Sequence, residues 1–284
     1  MVIIMLEILI LLSCWTCILS LTVSVSDKWK LTIPISKQRE YQNSDDSLWQ
    51  YLNDNIPEAL SHTGSTSFDV HLKGVQSILR AWSCSDHVAN AGLFHSIYGT
   101  EGFQGYKLPF SERKRIREMI GQKAESLVFK FCVADRFTVD EIVRKHHDVL
   151  FNNNHNNDEC LSFEIKSRIE LGRFDIKFKD MNEWLDFIEL TLADWLEQVE
   201  GAAQKANPLF EWNKGESYSY RRTAYSRMAD ILTIKRNLKK AKDMLNEIYE
   251  QEPEATRGMI QEITPPMSEA AKEARLAYAA RIDE

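Results

Sequence analysis

The sequence predicts an all-α protein. Apolar residues recur at spacings of three and four along most of the chain from residue 46 onward, the signature of helices with one buried face. Polar or Gly- and Pro-containing breaks separate those runs. Only "LSFEIKSRIELGRFDIKF" (161–178) has strand character, and it reads equally as a loop or a hairpin. At 44% hydrophobic and 27% charged, the 284 residues supply a core of ordinary size, in one large domain or two modest ones.

The chain opens on "MVIIMLEILILLSCWTCILSLTVSVS" (1–26). Ile8 to Ser26 carries no charge, which is near the lower limit for a membrane span and long for the apolar part of a signal peptide. Ser24 and Ser26 are small enough for cleavage before Asp27. Against that, Glu7 precedes the apolar run while Lys28 and Lys30 follow it, the charge order of an anchor whose domain faces the cytosol. Two expectations therefore stand: a membrane-associated protein facing the cytosol, or one in the secretory pathway. The absence of any Asn-x-Ser/Thr acceptor favours the first. Residues 27–45 are polar and irregular and read as a linker.

From Asp46, Leu48, Leu52, Ile56 and Leu60 form one stripe. A second helix runs through "SFDVHLKGVQSILRAWS", with Val70, Gly74, Ile78, Leu79 and Trp82 on one face. "DHVANAGLFHSIYG" is a third, starting near Ser85 and stopping by Gly99. "SERKRIREMIGQKAESLVFKFCVADRF" supplies two more, and "TVDEIVRKHHDVLF" a sixth with Thr138 as its cap and Glu141 three later. "NNNHNNDE" (152–159) is a polar low-complexity loop. "MNEWLDFIELTLADWLEQVEGAAQKA" is a long amphipathic helix, and "SYSYRRTAYSRMADIL" opens another. "TIKRNLKKAKDMLNEIYEQEP" and "MSEAAKEARLAYAARI" close the chain, parted by Pro265 and Pro266. The parts are an apolar leader (1–26), a linker (27–45), a helical domain (46–230) and a C-terminal helical extension (231–284).

A net charge of −7 argues against a nucleic-acid polymer as partner, but leaves room for a local pocket for a small anion or nucleotide. Cys84, Cys132 and Cys160 are far apart and odd in number, so no disulfide framework is implied. Chemistry concentrates elsewhere. His71 lies early in a helix, His95 ends one 24 residues later, and Asp135 follows in "FCVADRF". Imidazole and carboxylate groups converging from separate helices suit a divalent ion (Mn, Fe, Zn or Mg). Such an ion acidifies a bound water and polarises a phosphoryl oxygen. The literal His147-Asp148 pair in "KHHDVL" points to solvent, because Val139, Ile142, Val143, His146 and Leu150 make the apolar stripe of that helix.

A helical His, then "AGLFHS", then an Asp on a later helix resembles the HD-domain superfamily of metal-dependent phosphohydrolases, locally nearest its ppGpp-hydrolase branch. "FHSIYGTEGF", "ADWLEQ" and "GESYSYRRTAY" also resemble an uncharacterised plant, algal and bacterial domain family of unknown function. The superfamily resemblance spans roughly 55–150. It implies an HD-like helical bundle with additional C-terminal helices, metal held by His71, His95 and Asp135, and hydrolysis of a small phosphate ester or nucleotide. Two positions depart from the pattern: Ser96 replaces the Asp of the His-Asp dipeptide, and Gly99-Thr100 replaces an acidic pair. Glu101, one place further on, is left to orient water. In a second region Asp194 and Glu197 share a helix flank, Arg221 and Arg222 are placed to clamp a phosphate, and Tyr218, Tyr220 and Tyr225 can line a pocket. An internal salt bridge between these helices, with the tyrosines as packing, is the simpler reading of that region. The functional expectations are a metal-dependent phosphohydrolase or, given Ser96, a catalytically degenerate HD-like ligand-binding or interaction module. Metal-based oxygen chemistry on the same scaffold is a third.

Overall fold

The computed structural model describes residues 23–55, 68–101, 108–151, 163–207, 212–257 and 259. Most of the apolar leader (1–22), Ile56 and Leu60, the loop at 152–159 and the last helix expected, at 267–282, lie outside them. The described chain is mainly helical. Its helices are α1 (Val25–Lys30), α2 (Ile35–Asn55), α3 (Phe68–Ala81), α4 (Asp86–Phe94), α5 (Arg113–Ile120), α6 (Gln122–Val133), α7 (Arg136–Phe151), α8 (Met181–Ala202), α9 (Arg222–Arg236), α10 (Lys239–Glu250) and α11 (Glu254–Arg257). Strands β1 (Glu164–Lys166) and β2 (Asp175–Lys177) form an antiparallel hairpin with Ile165 opposite Ile176. That settles the one stretch whose sequence left strand and loop open. No described helix is long and apolar enough to cross a membrane.

Helix α8 is the axis of the bundle. Fifteen of its 22 residues are buried, and it packs against α3, α4, α6, α9 and α10. Asp180 caps its start by accepting from Glu183 N. An aromatic stack of Trp184, Phe187, Phe178 and Phe163 fills the end nearest the hairpin. Helices α3 and α4 pair closely because Gly92 faces Leu79. A Cβ at Gly92 would lie 2.6 Å from Leu79 Cδ1 and 3.3 Å from Val75 Cγ1, so a larger residue there has to push these side chains aside.

Buried acids on α8 dictate much of what surrounds it, since a carboxylate out of water must be paired. Glu189 takes Arg236 of α9 at 2.7 Å. Glu200 accepts both Val25 N and Ser26 N at 3.1 Å and so pins the first turn of α1. Glu197 takes Lys30 at the other end of α1, at 3.0 Å.

These contacts redraw the N-terminal boundaries expected from the sequence. Val25 is fully buried and belongs to the fold rather than to a leader ending at residue 26. The stretch 27–45 is helical over α1 and the first half of α2 instead of an irregular linker. Its order comes from tertiary bonds that periodicity does not register, among them Trp29 Nε1 to Glu247 and the Asp45 carboxylate to Arg80 at 2.5 and 3.0 Å.

Helix α7 also starts earlier than expected, at Arg136. Its cap is Asp135, whose Oδ1 accepts from Thr138 N at 3.2 Å; Thr138 is not the cap. The two histidines of "KHHDVL" divide as their stripe predicts. His146 is buried and accepts from Trp184 Nε1. His147 stacks on Phe151 and pairs with Asp230.

Arg221 of the 220–221 turn and Asp140 of α7 form a fully buried ion pair. Asp140→Ala strands that guanidinium, and the expected loss is about 3–5 kcal/mol in chemical denaturation. The double change Asp140→Leu with Arg221→Met removes both charges and is expected to recover most of that loss.

Candidate metal centre

Three side chains from three helices meet beside the middle of α8. His71 comes from the first turn of α3, His95 from the C-terminal end of α4, and Asp194 from α8. All three are buried. His71 Nε2 lies 3.2 Å from His95 Nε2, and each of these atoms is 3.2 Å from Asp194 Oδ1. His, His and Asp are a set able to hold a metal ion.

The atoms behind the rings fix their orientation. His71 Nδ1 faces Glu197 Oε2 at 2.7 Å, and His95 Nδ1 faces the Gly92 carbonyl oxygen at 2.7 Å. Both partners are acceptors, so each Nδ1 carries a hydrogen and each neutral ring turns a bare Nε2 lone pair inward. Two lone pairs and a carboxylate oxygen then converge. They repel one another unless positive charge, a proton or a metal ion, sits among them. The 3.2 Å edges match ligand atoms held about 2 Å from a tetrahedral ion. The carboxylate–imidazole pairing of Glu197 with His71 is the outer support such ligands typically have.

Sequence accounts for each placement. "AGLFHS" ends its helix at Phe94, and His95 keeps helical backbone angles as the C-cap, so its ring turns inward beside its own last turn. The Cys132 thiol, pushed up to about 12 by burial, stays protonated and donates to the His95 carbonyl at 3.0 Å. The Phe131 ring meets the His95 ring edge-on at 5.3 Å. Gly74, one turn after His71, leaves room for the Glu197 carboxylate: a Cβ there would lie 2.6 Å from Glu197 Cδ.

Electrostatics follow from burial opposed by pairing. Burial alone would discharge His71, but hydrogen bonds to Asp194 and Glu197 outweigh it and raise the imidazole to about 9. Burial likewise opposes the Asp194 charge, yet the His95 and His71 rings beside it hold this carboxyl well below the usual range. Glu197 is lowered too, its burial outweighed by His71 and Lys30.

Of the residues expected from sequence, His71 and His95 come together, and Asp194 is the carboxylate that joins them. Asp135 faces elsewhere: beyond capping α7 it accepts from Arg173 Nη1 at 2.6 Å, on the hairpin side. Glu101 lies at the start of α7, where its Oε2 accepts from Arg136 N at 2.8 Å. Arg221 is bound to Asp140 and donates to Tyr225 Oη at 2.9 Å. Arg222 pairs with Glu252 at 2.6 Å. Tyr225 stacks on Trp195 as core packing. Ser96 is buried. The sequence did carry one signal for Asp194: a carboxylate inside an almost wholly apolar helix needs a partner, and Glu197 three residues on repeats the demand.

Residues 51–136 match the model of a family described as a domain of unknown function (DUF6817). No curated protein and no solved structure matches the chain. The matched segment contains His71 and His95 but ends before Asp194, so the cluster is completed from outside it.

Two outcomes are expected. In metal-stripped protein, the stability supplied by charged His71 is complete below about pH 6.5, its ordinary value. It is lost as pH rises through about 9. Denaturant melts at pH 6 and pH 10 are expected to show this loss in the wild type and not in His71→Gln. Metal affinity runs the opposite way and rises over the same interval, because the ion needs the unprotonated Nε2. Gly74→Ala displaces the Glu197 carboxylate from His71. A drop of about 10- to 100-fold in metal affinity, measured by competition with a chelator, is expected.

Proposed function

We propose that the chain is a metal-dependent phosphohydrolase of the HD-like type, acting on a small phosphate ester or nucleotide. One observation carries the reading: Nε2 of His71, Nε2 of His95 and Oδ1 of Asp194 form a triangle with 3.2 Å edges, with both rings turned inward by acceptors behind them. The order, a helical His, a His at a helix end and an Asp on a later helix, is that of the superfamily the sequence resembles, with Asp194 in the place first given to Asp135.

When bound, a divalent ion supplies Lewis acidity toward a phosphoryl oxygen and toward water. The chain's own groups do the rest. Glu197 and the Gly92 carbonyl hold the imidazoles as neutral donors. Asp194 Oδ1 completes the ligand set, while Gln198 Nε2, donating to the same oxygen at 3.1 Å, restrains its rotation. Phe131 packs its ring edge-on against His95, and the burial of all three ligand residues away from bulk water strengthens the charge interactions among them.

Ser96 favours a second reading. A second carboxylate next to His95 would support a two-ion site, and serine does not supply one. On this reading the domain binds metal and an anionic ligand without turning it over.

Metal analysis of the full-length chain separates these from a metal-free protein. Near-stoichiometric metal is expected in the wild type and in Asp135→Asn, with less than about a tenth retained in His95→Ala and Asp194→Asn. Metal retained in Asp194→Asn would remove the assignment. Turnover of p-nitrophenyl phosphate or nucleotides by the loaded wild type then decides for the hydrolase, and its absence for the binding module.

A further inference from the structure

We infer that Arg136 forms an oxyanion-binding site next to the His71/His95/Asp194 cluster, and that the ligand taken there is a phosphate or a carboxylate group. The inference deepens the metal-centre reading and rests on it for the position of the ligand's reacting end. Arg136 is 7% exposed, and its guanidinium donates no hydrogen bond to any described residue. The carboxylate facing it is Asp194 Oδ2, 4.0 Å away and too far for a hydrogen bond. A buried guanidinium carries five N–H donors, and leaving them without acceptors is costly unless a ligand or water supplies them.

Other buried or half-buried arginines nearby each reach an acceptor within hydrogen-bond distance, Arg168 among them, whose Nη1 donates to the Thr100 carbonyl and to Glu170. Arg221 holds Asp140 through two nitrogens, Arg222 holds Glu252, and Arg236 holds Glu189 and Asp186. Arg136 instead lies over Phe131, 4.3 Å from its centroid, a cation–π contact that holds the guanidinium without consuming its N–H donors. The same Phe131 ring abuts His95, and the same Asp194 carboxylate that reaches the histidines through Oδ1 turns Oδ2 toward Arg136. An oxyanion accepting from Arg136 is thereby set against the metal-ligand cluster.

Arg136 opens the 16-residue helix α7, whose positive end is already met by carboxylates of the fold: Glu101 accepts from Arg136 N and Asp135 from Thr138 N. Glu101 therefore acts on this site as a positioning residue that holds the first turn of α7 in place.

The test titrates inorganic phosphate and, separately, acetate into the full-length chain by calorimetry. Zinc-loaded and metal-stripped protein are compared for wild type, Arg136→Met and Arg136→Lys, with zinc content measured for each. Wild type is expected to bind one of the two anions, and the tighter one assigns the class. Arg136→Met is expected to weaken that binding at least about tenfold while keeping its zinc. If Arg136→Met does not fold, Arg136→Lys keeps the charge over Phe131 but lacks the fork, and a several-fold weakening is expected. Anion affinity unchanged in the variant that folds, or no anion bound by wild type in either form, overturns the inference. If the chain takes up no zinc, the metal reading fails by itself; the stripped-protein titration still supports or overturns the role of Arg136.

Discussion

The organisation of this protein turns on four carboxylates carried out of water by a single helix. Glu189, Asp194, Glu197 and Glu200 all lie on the buried α8, where an uncompensated charge costs several kcal/mol. Each has recruited a different kind of partner: an arginine, a histidine pair, a histidine with a lysine, and the free N–H groups at a helix start. Those partners come from α9, α3, α4 and α1. The acids of α8 therefore specify which helices surround it, in addition to the apolar packing that drives them together.

The same demand explains why the site is poised for a cation. Asp194 Oδ1 faces imidazoles whose outer nitrogens are already committed to Glu197 and Gly92, while Arg136 stands 4.0 Å from Oδ2. The space between the inner nitrogens and Oδ1 has to hold positive charge, and a proton and a metal ion compete for it. A structural ion pair and a ligand set are two protonation states of one arrangement here.

Charge pairing also sorts the arginines. Those that read from sequence as phosphate clamps, Arg221 and Arg222, meet acids of the fold, Asp140 and Glu252. Arg136, adjacent in sequence to the residue first expected to bind metal, is the one whose donors face the cluster without a hydrogen-bonded acceptor among the described residues. Proximity to acids at hydrogen-bond distance separates a structural arginine from one available to a ligand, and that is a property of packing.

Periodicity by itself determined the helical class and the approximate placement of α3 to α10, because three-to-four spacing of apolar residues marks a buried face; on α3 it put Val70 on that face, where the structure exposes Val70 and buries Leu72 and Val75. It also marked the hairpin as the exception. It did not determine that 25–47 belongs to the fold, since that stretch is ordered by single long-range bonds to Glu200, Glu197, Glu247 and Arg80 rather than by an apolar stripe. Nor did it determine which carboxylate joins the histidines. Asp135 and Asp194 are both flanked by apolar residues, and only the crossing of α8 behind α3 and α4 brings one of them within 3.2 Å while the hairpin takes the other. Local pattern reports burial; which buried groups share one centre depends on how helices cross, and no local pattern encodes that.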